Sequence, residues 1–205
     1  MPGLLLDEDR FLNRFLLQPQ RDDARLSRLS RPISLRKPVV SLLYGNRKML
    51  GGMAYCAQVL EEGDTDLVLC HQEALERLIQ VFVRMTVLRE DGVVLLQGIP
   101  GTGKRYLAQA LGDSLGMEAL CIHGRKLLSK GPAAVAQALE EAVLKTVLAG
   151  HILYLDMNGV GREEAGPLAQ ALVFLKDYVG RFLIGADATW REETEILGHV
   201  YRIAV

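Results

Sequence analysis

The apolar positions of the chain follow one period before residue 60 and a different arrangement after it. In the first part, apolar residues recur at helical spacing through 7–17, 22–29 and 39–60, with an interruption at Gly51 and Gly52. We therefore predict a small helical N-terminal region over residues 1–62.

From residue 63 onward, short apolar runs alternate with amphipathic stretches. A long helix is predicted over 72–89, ending before Asp91-Gly92, and later helices from residue 103, over 133–148 and over 163–178. Between them lie apolar runs at 93–97, 119–123, 151–155, 181–186 and 200–205. Buried apolar strands separated by helices are typical of a parallel sheet covered on both faces. The predicted fold class is α/β, with residues 63–205 as one domain.

The segment GIPGTGKRY lies between the first of these strands and the helix after it. Glycines let backbone N–H groups close around phosphate oxygens, and the positive end of the following helix faces the bound anion. The lysine of such a GxxxxGK loop reaches the terminal phosphates. The pattern predicts a phosphate-binding loop formed by Gly98, Ile99, Pro100, Gly101, Thr102, Gly103, Lys104, Arg105 and Tyr106.

An acidic residue follows the strand at 151–155. In phosphate-loop proteins an aspartate at the end of a neighbouring strand holds Mg²⁺. In this chain we expect the aspartate to hold the ion through a water molecule. Asp156 is therefore the candidate metal and catalytic residue. His123 ends another predicted strand and is a second candidate, as a ligand, as a base or as a polar strand end.

The spacing of these motifs resembles that of the AAA ATPases. HGRKLLSK stands where that family has a phrase like GSxLxSK, and Lys130 lies 26 residues from both Lys104 and Asp156. The resemblance covers about residues 64–205. It implies a P-loop NTPase-type sheet of order 5-1-4-3-2, with ATP or ADP bound between subunits of a ring. It also implies adenine contacts from Leu67 and Val68, and a polar sensor at Thr189.

Several positions depart from the family pattern. Arg105 replaces the hydroxyl that ligates magnesium, and a guanidinium has no acceptor atom. Met157 replaces the glutamate that polarises water, and Ile196 and His199 stand where the family has arginine fingers. Gly131 and Pro132 replace the pair that contacts a threaded polypeptide. The sequence also ends where the family continues into a helical lid, so we expect the lid to be absent or to belong to a longer chain.

Charge is distributed unevenly. Residues 1–50 hold ten basic and five acidic residues, whereas the remainder holds fourteen and twenty. The N-terminal region is expected to dock an unknown protein partner or a neighbouring subunit. No nucleic acid is expected, because no aromatic side chains interleave with its arginines. The lack of a long apolar run or a signal-peptide pattern, together with three scattered cysteines, predicts a cytoplasmic protein without a membrane segment.

Three functional hypotheses follow. The first is a module that binds ATP or ADP, hydrolyses it poorly, holds Mg²⁺ weakly and acts through assembly or partner docking. The second is an active ATPase that remodels a protein substrate, with Thr102 or water replacing the missing hydroxyl and Glu163 or Glu164 replacing the missing base. The third is an interaction scaffold whose pocket stays empty.

Overall fold

A computed structural model describes residues 12–19, 33–45, 51–60, 71–161, 165–187, 190 and 197–205. Contacts divide the chain into two compact units, Met1–Met49 and Leu50–Val205. No helix in the described ranges is long and apolar enough to cross a membrane.

The apolar spacing had predicted a helical first unit, but this unit also contains two strands. A short π-helix, Leu12–Leu16, runs directly into strand β1, Leu17–Pro19, which pairs antiparallel with β2, Ile33–Leu35. Helix α1, Lys37–Leu43, follows with Pro38 in its first turn. The stretch 22–29, predicted to be helical, lies outside the described residues.

The second unit is built on a six-stranded sheet. Its strands in chain order are β3 (Ala57–Leu60), β4 (Gly92–Gln97), β5 (Ala119–His123), β6 (Ile152–Asp156), β7 (Arg181–Ala186) and β8 (Val200–Ala204). Their order across the sheet is β3-β5-β6-β7-β4-β8, and all neighbours except β3 and β5 are parallel. When β4 to β8 are numbered 1 to 5, the five parallel strands follow the order 5-1-4-3-2. The predicted strand order is therefore confirmed.

Strand β3 is the main difference from the sequence prediction, which had continued a helix to residue 60. Residues 57–60 instead add an antiparallel edge strand beside β5. A 3₁₀ turn, Gly51–Met53, precedes it, and the Met53 N–H donates to Glu141 Oε2 at 3.1 Å. This contact spans 88 residues of sequence, so local periodicity carried no sign of it.

Helices cover the sheet. They are α2 (Gln72–Leu88), α3 (Lys104–Leu115), α4 (Gly124–Leu128), α5 (Pro132–Ala149) and α6 (Ala165–Val179). One face of the sheet packs against α2 and α3, through buried residues that include Leu78, Phe82, Leu107 and Leu111. Because β4 to β8 are parallel, their carboxyl ends meet at one edge, where ligands bind in open α/β sheets.

Candidate phosphate-binding site

The glycine-rich loop lies between β4 and α3, as predicted. Gly101 and Gly103 have φ of +91° and +89°, in the left-handed region that favours glycine. A Cβ on Gly98 would collide with the carbonyl oxygen of Val205 and approach Thr102 Oγ1 to 2.7 Å. The backbone of the loop therefore needs glycine at these positions, and this fits a cradle of main-chain N–H groups around an anion.

Lys104 begins α3 and is only 3% exposed. Its ammonium donates to the carbonyl oxygens of Gly98 at 2.6 Å and Ile99 at 2.9 Å. Burial lowers the pKa of Lys104, and the charges of Asp156 and Asp187 partly oppose this effect. The cationic side chain is thus held inside the loop, where a phosphate group can replace carbonyl oxygens as its partner.

Thr102 does not present a free oxygen to a metal ion. Its hydroxyl donates to the Ile99 carbonyl at 3.0 Å, and its oxygen lies 3.5 Å from the Lys104 ammonium. A cation at that oxygen would be repelled by the lysine. The geometry gives no support to Thr102 as a replacement magnesium ligand.

Asp156 ends β6, beside His123 of β5 and Gly185 of β7 in the strand register. Its Oδ1 accepts from the Asn158 side chain at 2.6 Å and the Asn158 backbone N–H at 3.1 Å. Its Oδ2 lies 3.6 Å from His123 Nδ1. Burial lowers the pKa of His123, and Asp156 opposes that shift. The carboxylate is therefore at the predicted edge, but one of its oxygens is engaged by the local turn.

A resident magnesium ion does not fit this set of donors. Arg105 offers no acceptor, Thr102 faces the lysine, and Asp156 is the remaining hard oxygen ligand among these three residues. Within the described ranges, no group of three His, Cys, Asp or Glu side chains converges as a metal site. In nucleotide sites Mg²⁺ usually keeps several waters and binds one or two carboxylates together with substrate phosphates, so these three residues alone do not form a complete Mg²⁺ site.

Met157 points into the protein interior. It is 4% exposed, and its Sδ lies 2.9 Å from the place where a Cβ on Gly124 would stand. Its backbone N–H donates to the Gly185 carbonyl at 2.8 Å. The side chain packs under α4, so it is an apolar core residue.

Arg105 is exposed, and its guanidinium reaches the edge strand β3. We orient the Gln58 amide with its oxygen toward the guanidinium, because the opposite orientation would point an NH₂ group at a cation. In this orientation the oxygen accepts from both Nη1, at 2.9 Å, and Nη2. Gln58 was absent from the sequence prediction, since its strand was not recognised.

Other predicted residues lie outside the described part of the chain. These are Leu67, Val68 and Thr189, together with Glu163, Glu164 and Ile196. His199 is described and exposed, and its carbonyl accepts from the Val93 N–H at 3.0 Å. The predicted adenine contacts and polar sensor therefore stay predictions.

A cavity of about 300 Å³ adjoins the loop. It is lined by His71, Glu73, Ala74, Arg77, Ile203, Ala204 and Val205. The His71 ring lies 3.3 Å from the place where a Cβ on Gly103 would stand. His71 directly precedes α2, and no local sequence pattern shows that it meets the loop.

Comparison with protein families finds a match over residues 94–158 to the ATPase family associated with various cellular activities (AAA). Comparison with curated protein sequences finds no match.

Among solved structures, the chain is similar to the FIGL-1 AAA domain in complex with ADP, with 16% identity and a TM-score of 0.54. That alignment covers 74% of this chain and 59% of the FIGL-1 chain, so this chain spans about three-fifths of the FIGL-1 domain. A complex of HORMA, CdnC and Trip13 from E. coli MS115-1 aligns at 13% identity and a TM-score of 0.49, covering 76% of this chain and 71% of that one. C. elegans PCH-2 aligns at 17% identity and a TM-score of 0.44, covering 71% and 46%.

The matched segment runs from strand β4 through the loop to Asn158, so it contains both Lys104 and Asp156. The parallel sheet around it has the order that the resemblance implied. Residues 94–158 therefore match the AAA family model, within a fold that this chain shares with an AAA domain, and both findings fit an AAA-family module.

Proposed function

We propose that this module binds an adenine nucleotide, ATP or ADP, at the loop 98–104 and hydrolyses it poorly. The observation that carries the proposal is the buried Lys104 ammonium, held inside a glycine loop at the start of α3. Backbone N–H groups and the helix dipole add further attraction for phosphate. The adjoining cavity of about 300 Å³, bounded by His71 and Val205, has room for the base.

Poor hydrolysis follows from the chemistry of the same site. A positioned general base is typically worth about 10² to 10⁴ in rate, and the residue after Asp156 is a buried methionine. Metal-assisted stabilisation of the transferring phosphoryl group needs oxygen ligands, which Arg105 cannot supply. Binding depends on Lys104 and the backbone, so it survives these losses.

The bound nucleotide would act by ordering an assembly or docking a partner. The positive charge of residues 1–50 supports the first unit as the docking element for an acidic protein surface. The buried free thiols Cys56 and Cys121 fit a reducing compartment, and we place the protein in the cytoplasm.

Calorimetric titration with ATP and ADP tests the proposal. Lys104→Ala removes the buried ammonium and should weaken affinity about 10- to 100-fold, the range for a charge-assisted hydrogen bond. Arg84→Ala, which removes an exposed charge on α2, is the matched control and should change nothing. Chelating magnesium should change ATP affinity little. Absence of binding by the folded, unmodified chain would refute the proposal.

A further inference from the structure

The contact with Gln58 brings the Arg105 guanidinium to a row of residues on the face of the sheet that packs against α3. The strand register places Gln58 opposite Cys121, and Cys121 opposite Tyr154. Cys121 and Tyr154 pack in the same buried cluster as Leu107 of α3. Gln58 therefore ends this row at the edge of the sheet.

The effect of Arg105 on the pKa values of two neighbouring side chains also places its guanidinium close to β5 and β6. Burial raises the pKa of the Cys121 thiol to about 12, and it also raises the pKa of the Tyr154 hydroxyl. Arg105 lowers both of these pKa values against the larger effect of burial. Its charge thus lies near β5 and β6, on the way to Gln58.

This direction leads away from the loop. Gln58 lies on strand β3, four positions from β4 in the sheet order, whereas the loop directly follows β4. The neighbouring Lys104 turns the other way and bonds to the loop carbonyls. Two adjacent cations are thus separated, one inside the loop and one held toward the edge strand.

We propose that Gln58 is a positioning residue that restrains Arg105 and keeps its guanidinium out of the phosphate site. The inference rests on the proposed nucleotide binding for its functional consequence. With two guanidinium nitrogens bound to Gln58, Arg105 is not available to the terminal phosphate. When released, a flexible arginine beside the loop can donate to phosphate oxygens, with which it forms bidentate bonds.

The test is a double-mutant cycle in the full chain, using Gln58→Ala, Arg105→Leu and both together, with chelator present. Gln58→Ala should tighten ATP binding about 3- to 10-fold, part of the gain expected from one charge-assisted contact. The effect should be smaller for ADP and absent for adenosine. In the Arg105→Leu background, Gln58→Ala should have no effect on ATP affinity, because Gln58 acts through the arginine.

Two further variants separate positioning from a merely structural role. Gln58→Glu keeps an acceptor for the guanidinium, so its ATP affinity should be no higher than that of the unmodified chain. Gln170→Ala, which removes an exposed glutamine on α6, should leave affinity unchanged. Where the unmodified chain binds ATP, unchanged or weaker binding by Gln58→Ala would overturn the proposal. An equal gain in affinity from Gln58→Ala in the Arg105→Leu background would also overturn it.

Urea unfolding without nucleotide distinguishes this inference from the proposed function. If the unmodified chain binds no nucleotide but Gln58→Ala does, the restraint is supported. If neither binds, the proposed function is wrong and the unfolding data decide on the Gln58–Arg105 contact. Non-additive effects of the two substitutions on unfolding would support the contact, whereas additive effects would overturn it.

Discussion

Met157→Glu should destabilise the protein without creating an ATPase, although it restores the residue type that the family has at this position. The side chain is 4% exposed and packs against Gly124, so a carboxyl group there loses its hydration. A folded-state pKa raised by roughly 2 to 3 units would cost about 3 to 4 kcal/mol at neutral pH. Met157→Leu, which conserves volume, should cost less than about 1.5 kcal/mol.

Urea unfolding at pH 8 and at pH 5 measures the effect. Because the folded-state pKa of the new carboxyl is raised above its unfolded value, the folded state binds more protons, and stability increases as pH falls. The destabilisation should therefore be smaller at pH 5, whereas that of Met157→Leu should not change with pH. Phosphate release at saturating ATP and magnesium should stay at background. A stable Met157→Glu protein with metal-dependent turnover would show that the side chain reaches the phosphate site, contrary to the packing described here.

Three further predictions follow from the site and the sheet. Arg105→Thr should make ATP affinity sensitive to magnesium chelation in calorimetry, since a hydroxyl can ligate the ion; insensitivity would mean that Asp156 cannot support it. The fragment 50–205 should stay folded and keep its nucleotide affinity, whereas 63–205 lacks β3 and should lose thermal stability by circular dichroism; equal melting would contradict a structural role for β3. Nucleotide affinity should fall as pH rises toward the ordinary lysine pKa of about 10.4, because the pKa of Lys104 is lowered and only its charged form binds phosphate. In Lys104→Arg the affinity should depend less on pH over this range. The same dependence of affinity on pH in both proteins would refute the role of the Lys104 charge.

The sequence by itself determined the parallel sheet, the loop and the place of Asp156. These features depend on local signals: short apolar runs, glycines next to a lysine, and an acid at a strand end. Strands 119–123 and 181–186 were predicted with the bounds that the structure has. Their order across the sheet came from the resemblance to the AAA family, whose motif spacing this chain keeps.

Tertiary structure alone decided what the unusual residues do. Gln58 contacts Arg105 because β3 pairs with β5. Residues so distant in sequence pair without producing any periodic pattern in the local sequence, so the sequence does not predict this contact. The residue type of Met157 indicated a lost base, but only packing against Gly124 shows that the position is closed to water. Side-chain direction depends on neighbours brought together by folding, so composition and spacing could name these residues without saying where they point.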